Sequence, residues 1–554
     1  MKDQAQMATE LATGLKDGLA QWAAHLEHCA DEPLPVSVAA LVRTKAPSHG
    51  DKLLVHLFED GEAISYKQLD ELSDALANGL AAKGLRPGDR MAVMLSNCIQ
   101  YHLTWIALAK LGAIIVPVNP SYTSRELVHV LKDSQATCWL VHSDSLVQAR
   151  AVLAELPQFH PHMLIDLSGG LVGTSVWHTL LDLGEGETAS YPEPTLGTVL
   201  SIQYTSGTTG FPKGCVLTHG YWLNLARSAM SLHVQEHQRF FTAQPFFYMD
   251  PFWQFLQTLW SGGTLFAAKK LSASRFFGWL SEYRIEWAQM PELALKFMGE
   301  VHPQDLALRQ VFTFGWGADS RVAFTREFGV VANESFGMTE IGLGLAMPVQ
   351  WPASDRGTSV GVAALRREAK LMVAVDGDWR EAQPGETGEL WLRGEHLFQG
   401  YWNQPEATEA VFHDEWFRTG DAFVRDAMGF FRIVGRFKDM IRRSNENIAA
   451  REVESVVRML PQVLDCAAVA VPDPVRGEEV KVWVQWQSGF TPTDKDVQAL
   501  ITHCQTNLAP FKVPRFIAHT LEFPRTSSNK IAKHQLPRIG AQGSYDRIAK
   551  QWIS

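Results

Sequence analysis

Short apolar runs recur along the first two-thirds of the chain, as at Met91–Ser96, Ala113–Val118 and Cys138–His142. Continuous apolar runs, as opposed to strict alternation, mark strands buried on both faces, the situation in parallel sheets. Between them lie segments with helical period such as Ser124–Lys132, so the pattern predicts βα units and an α/β region. Near Gly435 the character changes. A charged stretch, Arg436 through Arg443, leads into a helix-like Arg451–Leu460 and then strand-like Cys466–Val471 and Val480–Gln487, which predicts a small α+β tail domain. The boundary is expected at Arg436–Asp439. The segment Met1–His28 places Asp3, Glu10 and Asp17 among apolar residues, which breaks the apolar core of a signal peptide and predicts an amphipathic surface helix. No stretch of about 18 uncharged apolar residues is present, so no transmembrane segment is expected.

With 554 residues, one hydrophobic core is too small a unit, and either roughly three or four structural units or a large domain with a smaller partner is expected. Hydrophobic residues at 46% and charged residues at 20% match ordinary soluble usage. A formal charge of -10 argues against nucleic acid as a partner, because backbone binding needs a cationic face. The cysteines Cys29, Cys98, Cys138, Cys215, Cys466 and Cys504 form no CxxC pair, so neither a disulfide framework nor a structural zinc site is expected. A reducing, cytoplasmic setting fits.

The densest chemical signal is Tyr204–Gly214, YTSGTTGFPKG, directly after the apolar run Val199–Gln203. Gly207, Gly210 and Gly214 permit backbone angles that let successive N–H groups converge on an anion. Thr205, Ser206, Thr208 and Thr209 add hydroxyls and Lys213 adds charge, which together predict a phosphate-cradling loop. It is not the usual nucleoside-triphosphatase motif, because Gly214 follows Lys213 where a Ser or Thr would bind magnesium.

This loop resembles the signature of the adenylate-forming superfamily, which includes acyl-CoA synthetases, firefly-type luciferases and peptide-synthetase adenylation domains. Other segments extend the resemblance in the family's order, from about Tyr66 to Leu536. Ser335–Glu340, SFGMTE, is similar to the family's aromatic-Gly-x-Thr-Glu motif, which implies that Phe336 stacks on adenine, Thr339 meets phosphate and Glu340 serves magnesium. Glu334, Ser335, Gly317 and Ala318 fall beside the implied nucleotide site. Trp416–Asp421, WFRTGD, resembles the segment whose aspartate binds the ribose hydroxyls, here Asp421. Gly435–Asp439, GRFKD, resembles the inter-domain hinge, with Arg436 toward the nucleotide and Lys438 as pivot. Ser528–Lys530 matches the C-terminal lysine motif, which makes Lys530 the candidate catalytic lysine beside Lys213, Thr339 and Glu340. Taken singly, Glu340 reads as a solvated acid, Asp421 as a turn residue and Lys530 as an exposed lysine; their joint order lifts them to site candidates.

The implied fold is α/β: a large N-terminal AMP-binding domain of layered sheets and helices over 1–435, a hinge at 436–439, and a small mobile α+β C-terminal domain over 440–554. By the same resemblance Pro245–Trp253 and Phe314–Ala318 line the acyl pocket. Tyr248 stands where many acyl-CoA ligases carry His, and Trp316 precedes Gly317–Ala318 where small residues are frequent, so a compact acyl group is expected. Phe247, Tyr248, Trp253, Trp260 and Trp316 could box a cationic acid such as a betaine, with Asp250 as counter-ion and Gly315 beside it. The plain alternative is core packing of the aromatics, with Asp250 capping a helix that starts at Pro251.

The segment Asp439–Glu454 looks most like ligases acting on crotonobetaine or carnitine, with one departure: Ser444–Asn445 replaces the family's Gly-Gly on the CoA-facing side. Asn tolerates left-handed backbone better than most residues, so the loop shape is compatible. The expected activity is ATP-dependent, AMP-forming ligation of a small or medium carboxylic acid to coenzyme A, with Mg2+ and with acyl-AMP as intermediate. A homodimer is left open. The alternative is transfer of the acyl group to a carrier protein or an amine, although no carrier domain is seen after Leu536. A silent nucleotide-binding scaffold would be expected to have lost Glu340 or Lys530, and both are present.

Overall fold

Side-chain caps set where the helices begin. Ser65 accepts the backbone N–H of Gln68 at 3.1 Å, and the Gln68 side chain accepts that of Ser65 at 3.0 Å, which starts helix Tyr66–Ala82. Thr123 and Glu126 do the same for helix Ser124–Asp133, the segment picked out by its period. Thr218 accepts from the Tyr221 N–H at 3.1 Å and starts helix His219–Met230 at the end of a strand that matters below.

The computed structural model describes residues 2–156, 164–167, 175–186, 191–205, 212–299, 301–349, 351, 357, 359–436, 440–443, 446–508, 510–525, 530–536 and 543–553. The chain divides into two units. The first comprises Met1–Thr205, Phe211–Ala369 and Leu392–Phe417, and the second Ser206–Gly210, Lys370–Trp391 and Arg418–Ser554.

The first unit contains two sheets. Its strands in chain order are β1 (Leu53–Leu57), β2 (Glu62–Ser65), β3 (Arg90–Met94), β4 (Ile114–Pro117), β5 (Cys138–Val141), β6 (Leu164–Asp166), β7 (Ser175–Val176), β8 (Val199–Thr205) and β9 (Lys213–Thr218). They continue with β10 (Arg239–Thr242), β11 (Thr264–Ala267), β12 (Trp287–Gln289), β13 (Gln310–Thr313), β14 (Val331–Met338), β15 (Gly342–Ala346) and β16 (Val362–Ala363). One sheet has seven strands in the order β7-β6-β5-β3-β4-β8-β9, parallel except for the terminal β8–β9 pair. Helices Ile99–Leu111 and Ser124–Asp133 make the crossovers that parallel strands require. The other sheet has nine strands in the order β16-β15-β14-β13-β12-β10-β11-β1-β2, with a parallel centre and antiparallel ends. The apolar runs are therefore central strands, as their pattern predicts. Residues such as Trp139, Val116, Leu127 and Ile202 fill one core, each fully buried aliphatic side chain worth about 1.5–3 kcal/mol.

In the second unit, helices Ala450–Arg458 and Asp494–Asn507 accompany a seven-stranded sheet whose long hairpin is Val463–Asp473 with Gly477–Trp486. Its core includes Ile441, Val457, Val482, Leu500 and Ile517. This is the α+β tail expected from the sequence. Among the described residues no helix is long and apolar enough to cross a membrane.

Candidate active site

Two strand ends carry the candidate chemistry of the first unit. In parallel sheets the carboxyl ends of strands are where ligands meet loops and exposed backbone groups. β8 ends at Thr205, and its antiparallel partner β9 begins at Lys213, with Thr205 and Lys213 opposite one another. The Thr205 hydroxyl donates to the Lys213 carbonyl at 3.4 Å. Ser206, Gly207, Thr208, Thr209 and Gly210, the expected phosphate cradle, lie outside the described residues. Below the strand ends, the Tyr204 hydroxyl donates to Asp133 Oδ2 at 2.6 Å, and the Trp402 indole donates to the Asp133 carbonyl at 3.0 Å.

Lys213 is aimed at Glu340 through an intermediary. Its Nζ lies 4.7 Å from the ring centroid of Tyr401, and the Tyr401 hydroxyl donates to Glu340 Oε1 at 2.8 Å. Burial, followed by the neighbouring Glu340 carboxylate, pushes the Tyr401 phenol up and keeps it a donor. The turn that bears Glu340 is held at three successive carbonyls. Tyr221 Oη donates to Thr339 O at 2.8 Å, Phe398 N to Glu340 O at 3.0 Å, and Arg367 Nη2 to Ile341 O at 2.8 Å. Arg367 is buried enough that desolvation brings its guanidinium down to about 10. Glu340 is 7% exposed, and among the described residues its Oε2 takes no protein hydrogen bond. A hard oxygen placed this way suits Mg2+, which is commonly held by one or two carboxylates together with substrate phosphates. The donor set therefore fits the metal.

The second strand end belongs to β13. Beyond Thr313 the chain turns at Gly315, whose φ of +77° favours glycine. The buried Glu334 carboxylate on β14 holds this turn: it accepts from Thr313 Oγ1 at 2.7 Å, from the Gly315 N–H, and from the Trp316 N–H at 3.3 Å. Arg321 Nε stands 3.9 Å from the same carboxylate. Gly317 N donates to Glu292 Oε1 at 3.0 Å, and Ala318 opens helix Ala318–Phe328. On β14 Ser335 is buried and Phe336 half-buried, and Thr339, in the turn after the strand, is half-buried beside Glu340.

Trp253 and Trp316, two members of the expected aromatic box, pack against different neighbours. Trp253 is 2% exposed, with rings of Trp287 and Phe312 at 5.8 and 5.5 Å. Trp316 sits in a different cluster, against Phe324 at 5.6 Å, with its indole N–H on the Met290 carbonyl at 2.9 Å. Among the described residues no ring contact joins the two. Tyr248 is half-buried, its ring beside Phe247 and its phenol pushed up to about 12 by burial. Its hydroxyl accepts from Asn119 at 3.5 Å. Nor does a helix start at Pro251. Helix Met249–Ser261 has Tyr248 as N-cap without a side-chain bond, so Asp250 and Pro251 both lie in its first turn. Proline is tolerated there because first-turn N–H groups lack intrahelical partners anyway.

The AMP-binding enzyme family model matches residues 42–402, and the model of the AMP-binding enzyme C-terminal domain matches residues 452–530. The chain belongs to the AMP-binding enzyme family. Among curated relatives, a crotonobetaine/carnitine–CoA ligase of Salmonella paratyphi A is 31% identical over 516 residues, covering 89% of this chain and 97% of that protein. The enzyme of the same name from Citrobacter koseri is 30% identical over 514 residues, with the same coverage. Among solved structures, the anthranilate CoA ligase AuaEII in complex with anthranoyl-AMP superposes with a TM-score of 0.81 at 23% identity, covering 92% of this chain and 98% of that one.

In this AMP-binding enzyme, the second unit carries the remaining candidates. Asp421 is 4% exposed on strand Trp416–Arg425, where it lies opposite Arg436 in the antiparallel ladder. Its N–H donates to Thr419 Oγ1 at 3.1 Å, and the preceding Gly420 N–H donates to Glu389 Oε1 at 3.1 Å. Lys530 is exposed, next to the bridge between Arg525 and Ile531. The hinge candidate Lys438 and the CoA-side Ser444 and Asn445 lie outside the described residues. Sequence reasoning missed Tyr401, Tyr221, Arg367 and Glu292. The first three support Glu340 from far away in sequence, and no local spacing signals them.

Proposed function

We propose that this AMP-binding enzyme is an ATP-dependent, AMP-forming carboxylate–CoA ligase. The observation that carries the proposal is the convergence of Lys213, Tyr401 and Glu340 at the strand ends that flank the glycine-rich segment. The first step is attack of a substrate carboxylate oxygen on the α-phosphorus of ATP, which forms the acyl–phosphate bond and expels pyrophosphate. In the second, the CoA thiol attacks the acyl carbonyl, the thioester forms, and AMP leaves. Both reacting groups of the first step are anionic, so preorganised positive charge and dipoles supply most of the acceleration.

Lys213 supplies charge, Glu340 would hold the nucleotide-borne Mg2+ through Oε2, and Glu334 fixes the 315–317 turn beside the implied nucleotide site. Bound Mg2+ neutralises phosphate charge as it develops. Asp421 binds the ribose, and Lys530 serves adenylation alone. The boundary at 436–439, with Lys438 as pivot, exchanges Lys530 for CoA access along the 444–445 segment, and the enzyme works in the cytoplasm. These roles come from the family resemblance, supported by the burial of Asp421 and the exposure of Lys530. The acid is compact. The relatives' names make crotonobetaine and carnitine the first acids to try, and the packing of Trp253 and Trp316 gives no separate support for a cationic one.

Pyrophosphate release with ATP, Mg2+ and a panel of short, aromatic, dicarboxylic and betaine acids, with and without CoA, tests the proposal. One acid should give pyrophosphate, and CoA should convert a single burst into turnover with thioester and AMP as products. Silence with every acid, or turnover that needs an amine or carrier protein instead of CoA, contradicts it.

A further inference from the structure

The carboxylate of Glu340 has a fixed backbone but its own torsions, and only one described group restrains it. The three carbonyl bonds from Tyr221, Phe398 and Arg367 hold the turn and do not touch the side chain. The side chain is restrained by Tyr401, whose hydroxyl donates to Oε1 at 2.8 Å and leaves Oε2 without a protein hydrogen bond among the described residues. Tyr401 is itself held firmly. Its N–H donates to Thr408 Oγ1 at 2.9 Å, its backbone bridges to Cys215 on β9, and its ring meets Phe398 edge-on at 5.1 Å. Its ring carries the Lys213 ammonium at 4.7 Å from the centroid. One residue thus touches both charged members of the site, the cation through its ring and the anion through its hydroxyl.

We propose that Tyr401 is a positioning residue for adenylation: its hydroxyl holds the Glu340 carboxylate so that Oε2 is presented to the divalent metal of the nucleotide, while its ring seats Lys213. The inference rests on the reading of Glu340 as the metal carboxylate. A hydrogen bond to a charged group that fixes a ligand before the metal arrives spares the ordering cost on binding. A residue that only filled space would contribute to stability and leave the metal dependence alone.

Tyr401→Phe removes the hydroxyl and keeps the ring. The measurement is binding of α,β-methylene ATP by calorimetry across a Mg2+ series, with thermal denaturation of each variant alongside. The expected result is an increase of about tenfold in the Mg2+ concentration for half-maximal binding, the scale of one charge-assisted hydrogen bond, with metal-free nucleotide binding unchanged. Tyr401→Leu should show the same metal shift and also weaker metal-free binding, because Lys213 loses its seat. Glu340→Gln should shift the metal dependence at least as far, and adding Tyr401→Phe to it should shift it by less than about twofold more, since both changes act through one carboxylate. A Tyr401→Phe titration superimposable on the parent overturns the proposal, as does one that differs only in thermal stability. Fully additive shifts in the double variant also overturn it, because Tyr401 would then act independently of Glu340. Parental metal dependence in Glu340→Gln overturns the reading of Glu340, and the role of Tyr401 with it, and is distinguishable because that variant is measured alone.

Discussion

Trp253 donates its indole N–H to Asp250 Oδ1 at 3.2 Å across the first turn of helix Met249–Ser261. Gln289 Nε2 takes the other carboxylate oxygen, also at 3.2 Å, so Asp250 already serves two protein donors. A carboxylate occupied in this way and flanked by core-packed indoles makes a poor counter-ion for a substrate ammonium. Asp250→Asn should therefore change the ratio of kcat/KM for a betaine acid over its neutral isostere by less than about twofold, well under the factor of ten that 1.4 kcal/mol of lost Coulomb attraction would give. A fall of tenfold or more would restore the cation-box reading.

Glu334 is buried and meets Thr313, Gly315, Trp316 and Arg321. In Glu334→Gln an amide NH2 must face a donor, and Arg321 loses its carboxylate. Stability should fall by about 1–3 kcal/mol, read by urea unfolding, and KM for ATP should rise as the 315–317 turn loosens. A variant with parental KM would separate the turn from nucleotide binding.

Lys530→Ala should lower acyl-AMP formation by on the order of 100-fold or more, the cost of one preorganised donor at a transition state. Its exposure in the structure means that little stability should be lost. Thioester formation from supplied acyl-AMP should persist. Equal damage to both half-reactions would show that Lys530 does not act in one of them alone.

The buried His102 and His219 and the half-buried His233 make acid sensitivity a further expectation. Burial lowers His102 to about 4 and His219 to about 3; His233 is lowered to about 3 by burial and then by His237. Below the unfolded value near 6.5, the unfolded chain takes up protons that the native one refuses. The stabilisation is therefore fully present above about pH 6.5 and is lost as pH falls toward 3–4. Each histidine should cost about 1 kcal/mol between pH 7 and 5.5, so urea midpoints should drop over that interval. His102→Gln should flatten the slope, and a midpoint that rises on acidification would contradict the assignment.

The parallel strands and the α+β tail were legible because burial on two faces leaves continuous apolar runs. Their ends were less so: Cys466–Val471 reads as apolar, yet the strand runs over Val463–Asp473, because pairing starts at the buried Val463, before the half-buried Leu464 and Asp465, and continues past Val471 through Pro472 to Asp473. Lys213, Thr339 and Glu340 could be singled out as candidates because each sits in a contiguous motif. Tyr401 was not, because the contact that gives it meaning spans 61 residues. Trp316 was visible as an aromatic at a candidate pocket, but only the Met290 carbonyl shows which way its indole turns.

The pairing of Thr205 with Lys213 constrains how this protein can change length. Side chains alternate faces along a strand, so one residue added within Lys213–Thr218 would turn the lysine away from Tyr401 and empty its seat on that ring. The same residue added between the strands leaves the ladder in place and Lys213 pointing as before. Insertions within β9 should accordingly abolish activity whatever residue is inserted, while those between Thr205 and Lys213 spare the ladder but lengthen the expected phosphate cradle.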